Sequence, residues 1–205
     1  MSAQSPEELV SFKLLILKDL EKSLKLSYVS QYRNVLSKIV TNKKRFMKKN
    51  TQTDMSEDIF RYNNLTISLS KYLLNLFDVF GESAVLNAKR IFEENAVKWG
   101  RKLGKKLEFE SMDINYILMN TYIDLPGIDY IDISGNELIW YLIKSGYTGL
   151  NSEFIRFHPK YYDIKALWLH TFINSFAPQY TGLFEKKSEN EDSIVTGIQI
   201  KEGPK

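Results

Sequence analysis

Ala84–Leu107 reads AVLNAKRIFEENAVKWGRKLGKKL, and it is the most strongly periodic stretch of the chain. Val85, Ala88, Phe92, Ala96, Trp99, Leu103 and Leu107 recur at steps of three and four, which places them on one face of an α-helix. Beside that stripe runs a second one, Ala96, Gly100 and Gly104. A glycine inside a helix costs roughly 1 kcal/mol relative to alanine. Two of them four residues apart therefore imply that another backbone, or a ligand, comes close along that line, and ordinary helix packing is the plainer of the two readings.

Outward from this helix the chain is organised by similar signals. Gly81 ends a preceding helix over about Ser56–Phe80, which carries Tyr62, Leu65, Leu69, Tyr72, Leu73, Leu76 and Phe80 at helical spacing, and Glu82 or Ser83 starts the next one. Ser5-Pro6-Glu7-Glu8 is a helix start, with Ser5 as cap, Pro6 in the first helical position and Glu8 closing a capping box. Leu9, Phe12, Ile16, Leu20 and Leu24 form the face of that first helix. A second helix is expected over Tyr28–Met47, pairing with the first, before the polar connector Asn50–Met55. The resulting division is a helical N-terminal extension, residues 1–50, and a domain over residues 56–203.

Beyond a short helical piece at Asp113–Tyr122 the pattern changes. Leu125-Pro126-Gly127 is a turn, and Tyr130–Ser134 and Glu137–Lys144 read as strands of a tight hairpin. LIWYLI, Leu138–Ile143, is apolar on both faces and predicts a central strand covered on both sides. Ser145–Gly149 reads as a flexible turn, Phe154–His158 as a third strand ended by Pro159, and Ile164–Phe176 as a helix. Lys186–Ser193, KKSENEDS, reads as a polar mobile loop. Ile194–Lys201 alternates like a half-exposed strand. The fold class is α+β: N-terminal helices followed by a small antiparallel sheet flanked by helices.

The run FGESAVLNAKRIFEENAVKWGRKLGKKL, Phe80–Leu107, resembles the start of a 4-vinyl reductase domain, where a Gly-Glu pair opens a helix with a Gly-x-x-x-Gly-like element. The later order of strands, a helix and a last strand ending in GIQI is similar to that family as well, so the resemblance covers roughly Lys71–Gly203. It implies a fold related to the TRAPP vesicle-tethering subunits, dimerisation through helices, an apolar pocket, and a role in sensing small molecules or as a scaffold. Many domains of that family carry cysteines near the C-terminal strand, in a position that could bind metal. This chain has none, and any thiol function of the family does not carry over.

Composition narrows the chemistry. The 205 residues are 43% hydrophobic and 13% aromatic, enough for a well-buried core, and the net charge of +3 argues against a basic surface overall. The absence of cysteine removes disulfides, thiolate zinc sites and thiol nucleophiles. The polar, acidic start MSAQSPEEL lacks the basic region of a signal peptide, and the expected location is cytoplasmic. Asp124, Asp129 and Asp132 lack the spacing of a calcium loop and read as surface carboxylates. His158 and His170 read as structural or surface residues. No phosphate loop, nucleophile elbow, dinucleotide fingerprint or zincin helix is present, and the sequence leaves the identity of any cofactor unknown.

Two function classes lead, and a third, an enzyme using His158 and nearby carboxylates, has little in the sequence to carry it. In the leading one the chain is a non-enzymatic domain that dimerises through its helices and holds a small apolar ligand or acts as a scaffold. Ala96, Trp99, Gly100, Gly104, Trp140, Phe157, Trp168 and Phe172 are then the pocket or close-packing residues; aromatic residues also fill cores in the ordinary way. In the other, a nucleic-acid-associated regulator contacts phosphate through Lys43, Lys44, Arg45, Lys48 and Lys49, although a solvated helix C-terminus, where cations complement the dipole, is the plainer reading of that cluster.

Overall fold

A computed structural model describes residues 6–28, 57–105, 114, 118, 121, 129–134, 137–148, 153–156 and 158–202. Helix α1 is Pro6–Tyr28, and its first residue is the proline whose fixed φ and missing N–H suit that position. Helix α2 is Glu57–Gly104, two arms joined at Gly81. Gly81 has φ 55° and ψ −135°, a conformation that residues with a Cβ avoid. The break expected from the sequence therefore falls where glycine alone is at ease.

Cross-contacts show that the two arms fold back on each other. Tyr62, early in the first arm, lies beneath the Lys13 ammonium at 5.7 Å, and Trp99, late in the second, meets Phe12 edge-on at 5.4 Å. Both ends of α2 thus reach the N-terminal half of α1. At its other end Asn87 Nδ2 donates to Ser27 Oγ at 2.8 Å and Tyr28 Oη donates to the Ala84 carbonyl at 3.1 Å. Helix α1 lies along this hairpin, antiparallel to its second arm. Leu14, Ile16, Leu17, Leu20 and Leu24 are buried in the same apolar cluster as the α2 and sheet residues. Burying a side chain of this kind contributes roughly 1.5–3 kcal/mol, so α1 is part of the core. The expected helix over Tyr28–Met47, its connector and the turn at Leu125–Gly127 lie outside the described residues.

Strands β1, Asp129–Ser134, and β2, Glu137–Ile143, form the expected hairpin, with Ser134 opposite Glu137. The four-stranded antiparallel sheet has the order β1-β2-β6-β5, with β5 at Tyr180–Glu189 and β6 at Ser193–Glu202. LIWYLI is thus a central strand. Leu138, Trp140 and Leu142 are fully buried on its inner face, while on the outer face Ile139 is buried and Tyr141 and Ile143 only half-buried. The cover is therefore complete on one side and partial on the other.

Helix α3, Lys160–Phe176, closes the inner face. Tyr162 stacks on Trp140 with ring centroids 5.2 Å apart and planes within 8°. A Cβ at Gly182 of β5 would stand 2.9 Å from Ile173 Cδ1. The fold is α+β, with α3 between the α1–α2 layer and the sheet. Ile114, Leu118 and Thr121 are helical and buried, in keeping with the short helix expected at Asp113–Tyr122.

Two expectations are corrected. Ser145–Thr148 is not a flexible turn but strand β3, paired antiparallel with β4, Glu153–Arg156. Lys186–Glu189 is not loop but the end of β5; only residues 190–192 turn, with Asn190 Oδ1 accepting from the N–H groups of Asp192 and Ser193 at 2.8 Å each. The polar side chains of this segment face solvent on an edge strand, where burial does not select for apolar residues. No helix among the described residues is long and apolar enough to cross a membrane.

Candidate functional site

The glycine stripe is the contact of α2 with α3. A Cβ at Gly100 would stand 2.7 Å from Ser175 Cβ and 2.9 Å from the Phe172 carbonyl oxygen. One at Gly104 would stand 2.6 Å from the Phe176 carbonyl oxygen. Ala96, fully buried, continues the line. Of the two readings left open, another backbone or a ligand, the close neighbour is a backbone, and it belongs to the same chain. The stripe is consequently occupied within one molecule and offers no surface to a second copy.

Next to it a polar network crosses the helical layer. Trp168 Nε1 of α3 donates to Asn95 Oδ1 at 3.0 Å, and Asn95 Nδ2 donates to Asp19 Oδ2 at 3.2 Å and to the Ile16 carbonyl at 3.4 Å. Asp19 also accepts from Trp99 Nε1 at 2.9 Å and from Lys98 Nζ at 2.6 Å. Burial alone would raise the Asp19 pKa, but the hydrogen bonds from Lys98, Trp99 and Asn95 and the charge of Lys98 outweigh it and hold the carboxyl below its ordinary range. One carboxylate of α1 is thereby tied to both tryptophans, directly or through Asn95. Lys102 Nζ lies 4.5 Å from the centre of the Trp99 ring, a cation–π contact that covers the indole at the surface.

The other aromatic candidates fall on two sides of α3. Trp168 stacks on Phe172 at 4.6 Å facing α2, whereas Trp140 stacks on Tyr162 facing the sheet, with the Tyr162 hydroxyl 3.1 Å from Thr196 Oγ1. Trp99, Trp140, Trp168 and Phe172 are all buried. They pack two interfaces separated by the body of a helix and do not converge on one space. Phe157 lies outside the described residues.

His158 Nδ1 accepts the Lys160 N–H at 3.2 Å, and its ring is 5.0 Å from Phe77. His170 Nε2 is 3.0 Å from Asn174 Nδ2. Twelve residues along a helical axis separate the two by about 18 Å, too far to share a metal. Among the described residues no group of three histidines, aspartates or glutamates gathers to hold one. Asp132 Oδ1 accepts the N–H of Ile133 at 2.8 Å, and Asp124 lies outside the described residues.

Lys43, Lys44, Arg45, Lys48 and Lys49 are also outside them. Near the end of α2, Lys98 pairs with Asp19, and Arg101, Lys102 and Lys105 are exposed.

Three features escaped the sequence reading. Asn95 stands three residues after Phe92 and four before Trp99, within the apolar stripe, and that position was its signal. Lys165, 1% exposed, shares the buried line of α3 with Tyr161, Trp168 and Phe172 at the same spacing. Tyr72 is buried, and among the described residues nothing hydrogen-bonds its hydroxyl; burial, and the nearby Tyr28, hold its pKa above the ordinary value, so the phenol stays neutral.

At one end of the helical layer three large apolar residues are exposed, in company with exposed Asp78, Glu82 and Ser83. Leu26, Val79 and Leu86 are 65%, 58% and 61% exposed. Val79 stands two residues before Gly81, and the neighbours of Leu26 and Leu86, Ser27 and Asn87, are hydrogen-bonded to each other. All three therefore surround the bend of α2. Comparison with protein-family models, with curated proteins and with solved structures finds no match to this chain.

Proposed function

We propose that this chain is a non-enzymatic scaffold module that pairs with a second copy through its helical layer. The observation that carries the reading is the group of Leu26, Val79 and Leu86 around the Gly81 bend. Isolated exposed apolar residues are ordinary on any protein, but a group of large ones at one end of a bundle is what a contact surface requires. A two-fold axis through the bend would set the patch against itself.

The same reading places the protein in the cytoplasm and relates it to 4-vinyl reductase domains. That kinship is supported by the order of elements: a helical hairpin whose second arm carries the Gly-x-x-x-Gly line, then strands, a helix and a last strand containing GIQI. The apolar-ligand half of the leading hypothesis has less behind it, because the rings expected to line a pocket stack on one another.

Sedimentation over a range of concentrations tests the proposal. Wild type should show a dimer that weakens with dilution, and Leu86→Ser with Leu26→Ser should abolish it while leaving the fold intact. A wild-type monomer at every concentration would overturn the reading. A reproducible extra mass in the native mass spectrum would restore the ligand in its place.

The second reading is a nucleic-acid-associated regulator that contacts phosphate through Lys43, Lys44, Arg45, Lys48 and Lys49; the exposed cations Arg101, Lys102 and Lys105 at the end of α2 are further positive charge that supports it. Binding would have to weaken steeply with salt and disappear when the first five are neutralised.

A further inference from the structure

Residues 186–193, KKSENEDS, make the end of β5, the turn and the first residue of β6. Ser188 is exposed and stands opposite Val195, immediately after the register shift that leaves Lys187 as an extra residue in β5. Past that bulge the ladder continues through the pairs Ser188–Val195 and Glu189–Ile194 before the turn. The end of the hairpin is held by Lys144, whose N–H donates to the Asp192 carbonyl at 2.7 Å and whose ammonium reaches Glu189 Oε1 at 2.9 Å and the Asn190 carbonyl at 2.6 Å, so the segment is presented in extended form.

Acidic residues follow Ser188 at the first, third and fourth positions: Glu189, Glu191 and Asp192. The last two are exposed in the turn.

We propose that Ser188 is a phosphorylation site for a serine kinase that selects acidic residues after the serine. Kinases choose substrates by such charge patterns. An exposed hydroxyl on β5, the edge strand of the sheet, meets the need for an accessible extended segment. In the transfer, Ser188 Oγ attacks the γ-phosphorus of ATP; the new O–P bond forms as the bond to the leaving ADP breaks, and the hydroxyl proton passes to the kinase's catalytic carboxylate.

The consequence is local. Val195 lies opposite Tyr141 on the outer face of the sheet, so Ser188 faces the same side as Lys187, whose ammonium is paired with the Glu137 carboxylate of β2. A phosphate carrying a charge of about −1.5 to −2 at neutral pH competes with Glu137 for that ammonium. Phosphorylation thereby loosens the tie between β2 and β5.

The test is incubation of the full chain with ATP and a purified acid-directed serine kinase, followed by peptide mass spectrometry. One phosphate on Ser188, absent in Ser188→Ala and retained in Ser193→Ala, is expected. In Glu191→Gln with Asp192→Asn the rate should fall about tenfold, the effect of losing two exposed charge contacts. Failure to phosphorylate, phosphate on another residue, or a rate indifferent to the turn charges would overturn the proposal.

Discussion

The indole N–H of Trp168 on α3 is bonded to the amide oxygen of Asn95 on α2, 3.0 Å away and closed to solvent. The amide's other end reaches the Ile16 carbonyl and the Asp19 carboxylate of α1. Three helices thus meet at one side chain. Its replacement by alanine leaves an indole donor buried without a partner, which costs about 1–3 kcal/mol. The small void left behind adds to that loss. Asn95→Ala should therefore lower the urea midpoint with no change in slope, and a midpoint equal to wild type would show that the network contributes nothing to stability.

The two helical glycines should be far less tolerant than their exposed neighbours. At Gly104 the obstruction to a Cβ is the Phe176 carbonyl oxygen, which is backbone and cannot swing aside; at Gly100 it is the Phe172 carbonyl and Ser175 Cβ. Alanine at either position should force α3 away from α2, at a cost of about 1–3 kcal/mol, despite alanine's better helix propensity. Gly81 is a contrast. A Cβ there meets nothing within 4 Å, so Gly81→Ala carries only the backbone strain of φ 55°, again about 1–3 kcal/mol. Thermal melts of Gly104→Ala and Gly104→Leu separate the mechanisms, since only crowding grows with side-chain size.

Acid sensitivity should have two components that salt distinguishes. The folded Asp19 carboxyl lies below its ordinary value of 3.8, and that of Glu189, bonded to Lys186 and Lys144, is lowered from 4.5 to about 2. A depressed folded pKa means stability that is complete above the unfolded value and lost as pH falls through the folded one. The Glu189 contribution therefore vanishes between about pH 5 and pH 2, and that of Asp19 is lost as pH falls below the ordinary carboxylate value. Glu189 is exposed and its share is screened by salt, whereas Asp19 is partly enclosed by α2. In acid titrations followed by circular dichroism, Asp19→Asn should flatten the transition at low and high salt alike. If Glu189→Gln has the larger effect in high salt, the assignment is wrong.

The parts of this fold that could be read in the sequence are those where a local rule and the tertiary structure agree. Gly81, the alternation at Ile194–Ile200 and the apolar LIWYLI run each state their own burial or backbone geometry, and the structure agrees, save that LIWYLI is a central strand with only partial cover on its outer face. The partner of the glycine stripe could not be read, because α3 lies some seventy residues further on and helical spacing says only that something comes close. Strand β5 was hidden for a different reason. Lys186, Lys187 and Ser188 are poor strand formers held in place by the β6 ladder, so pairing decides what composition does not. The aromatic candidates were identified as buried residues, but only the position of α3 reveals that Trp140 and Trp168 serve opposite faces of one helix.

Gly197 offers the last test, and a milder one. It sits in β6 between β2 and β5, and the Glu137–Lys187 ion pair passes over it on the outer face of the sheet. An added Cβ would meet the Glu137 carboxylate and the Lys187 stem, both far ends of flexible side chains that can move aside. Gly197→Ala should consequently break the pair without distorting the sheet. The loss is then that of a partly exposed ion pair, about 0.2–1 kcal/mol, offset in part by alanine's lower unfolded-chain entropy. A double-mutant cycle with Lys187→Met measures it: once that substitution has removed the ammonium, the effect of Gly197→Ala should shrink or change sign. Equal effects with and without Lys187→Met would mean that the glycine is required by the β6 backbone and not by the pair that crosses it.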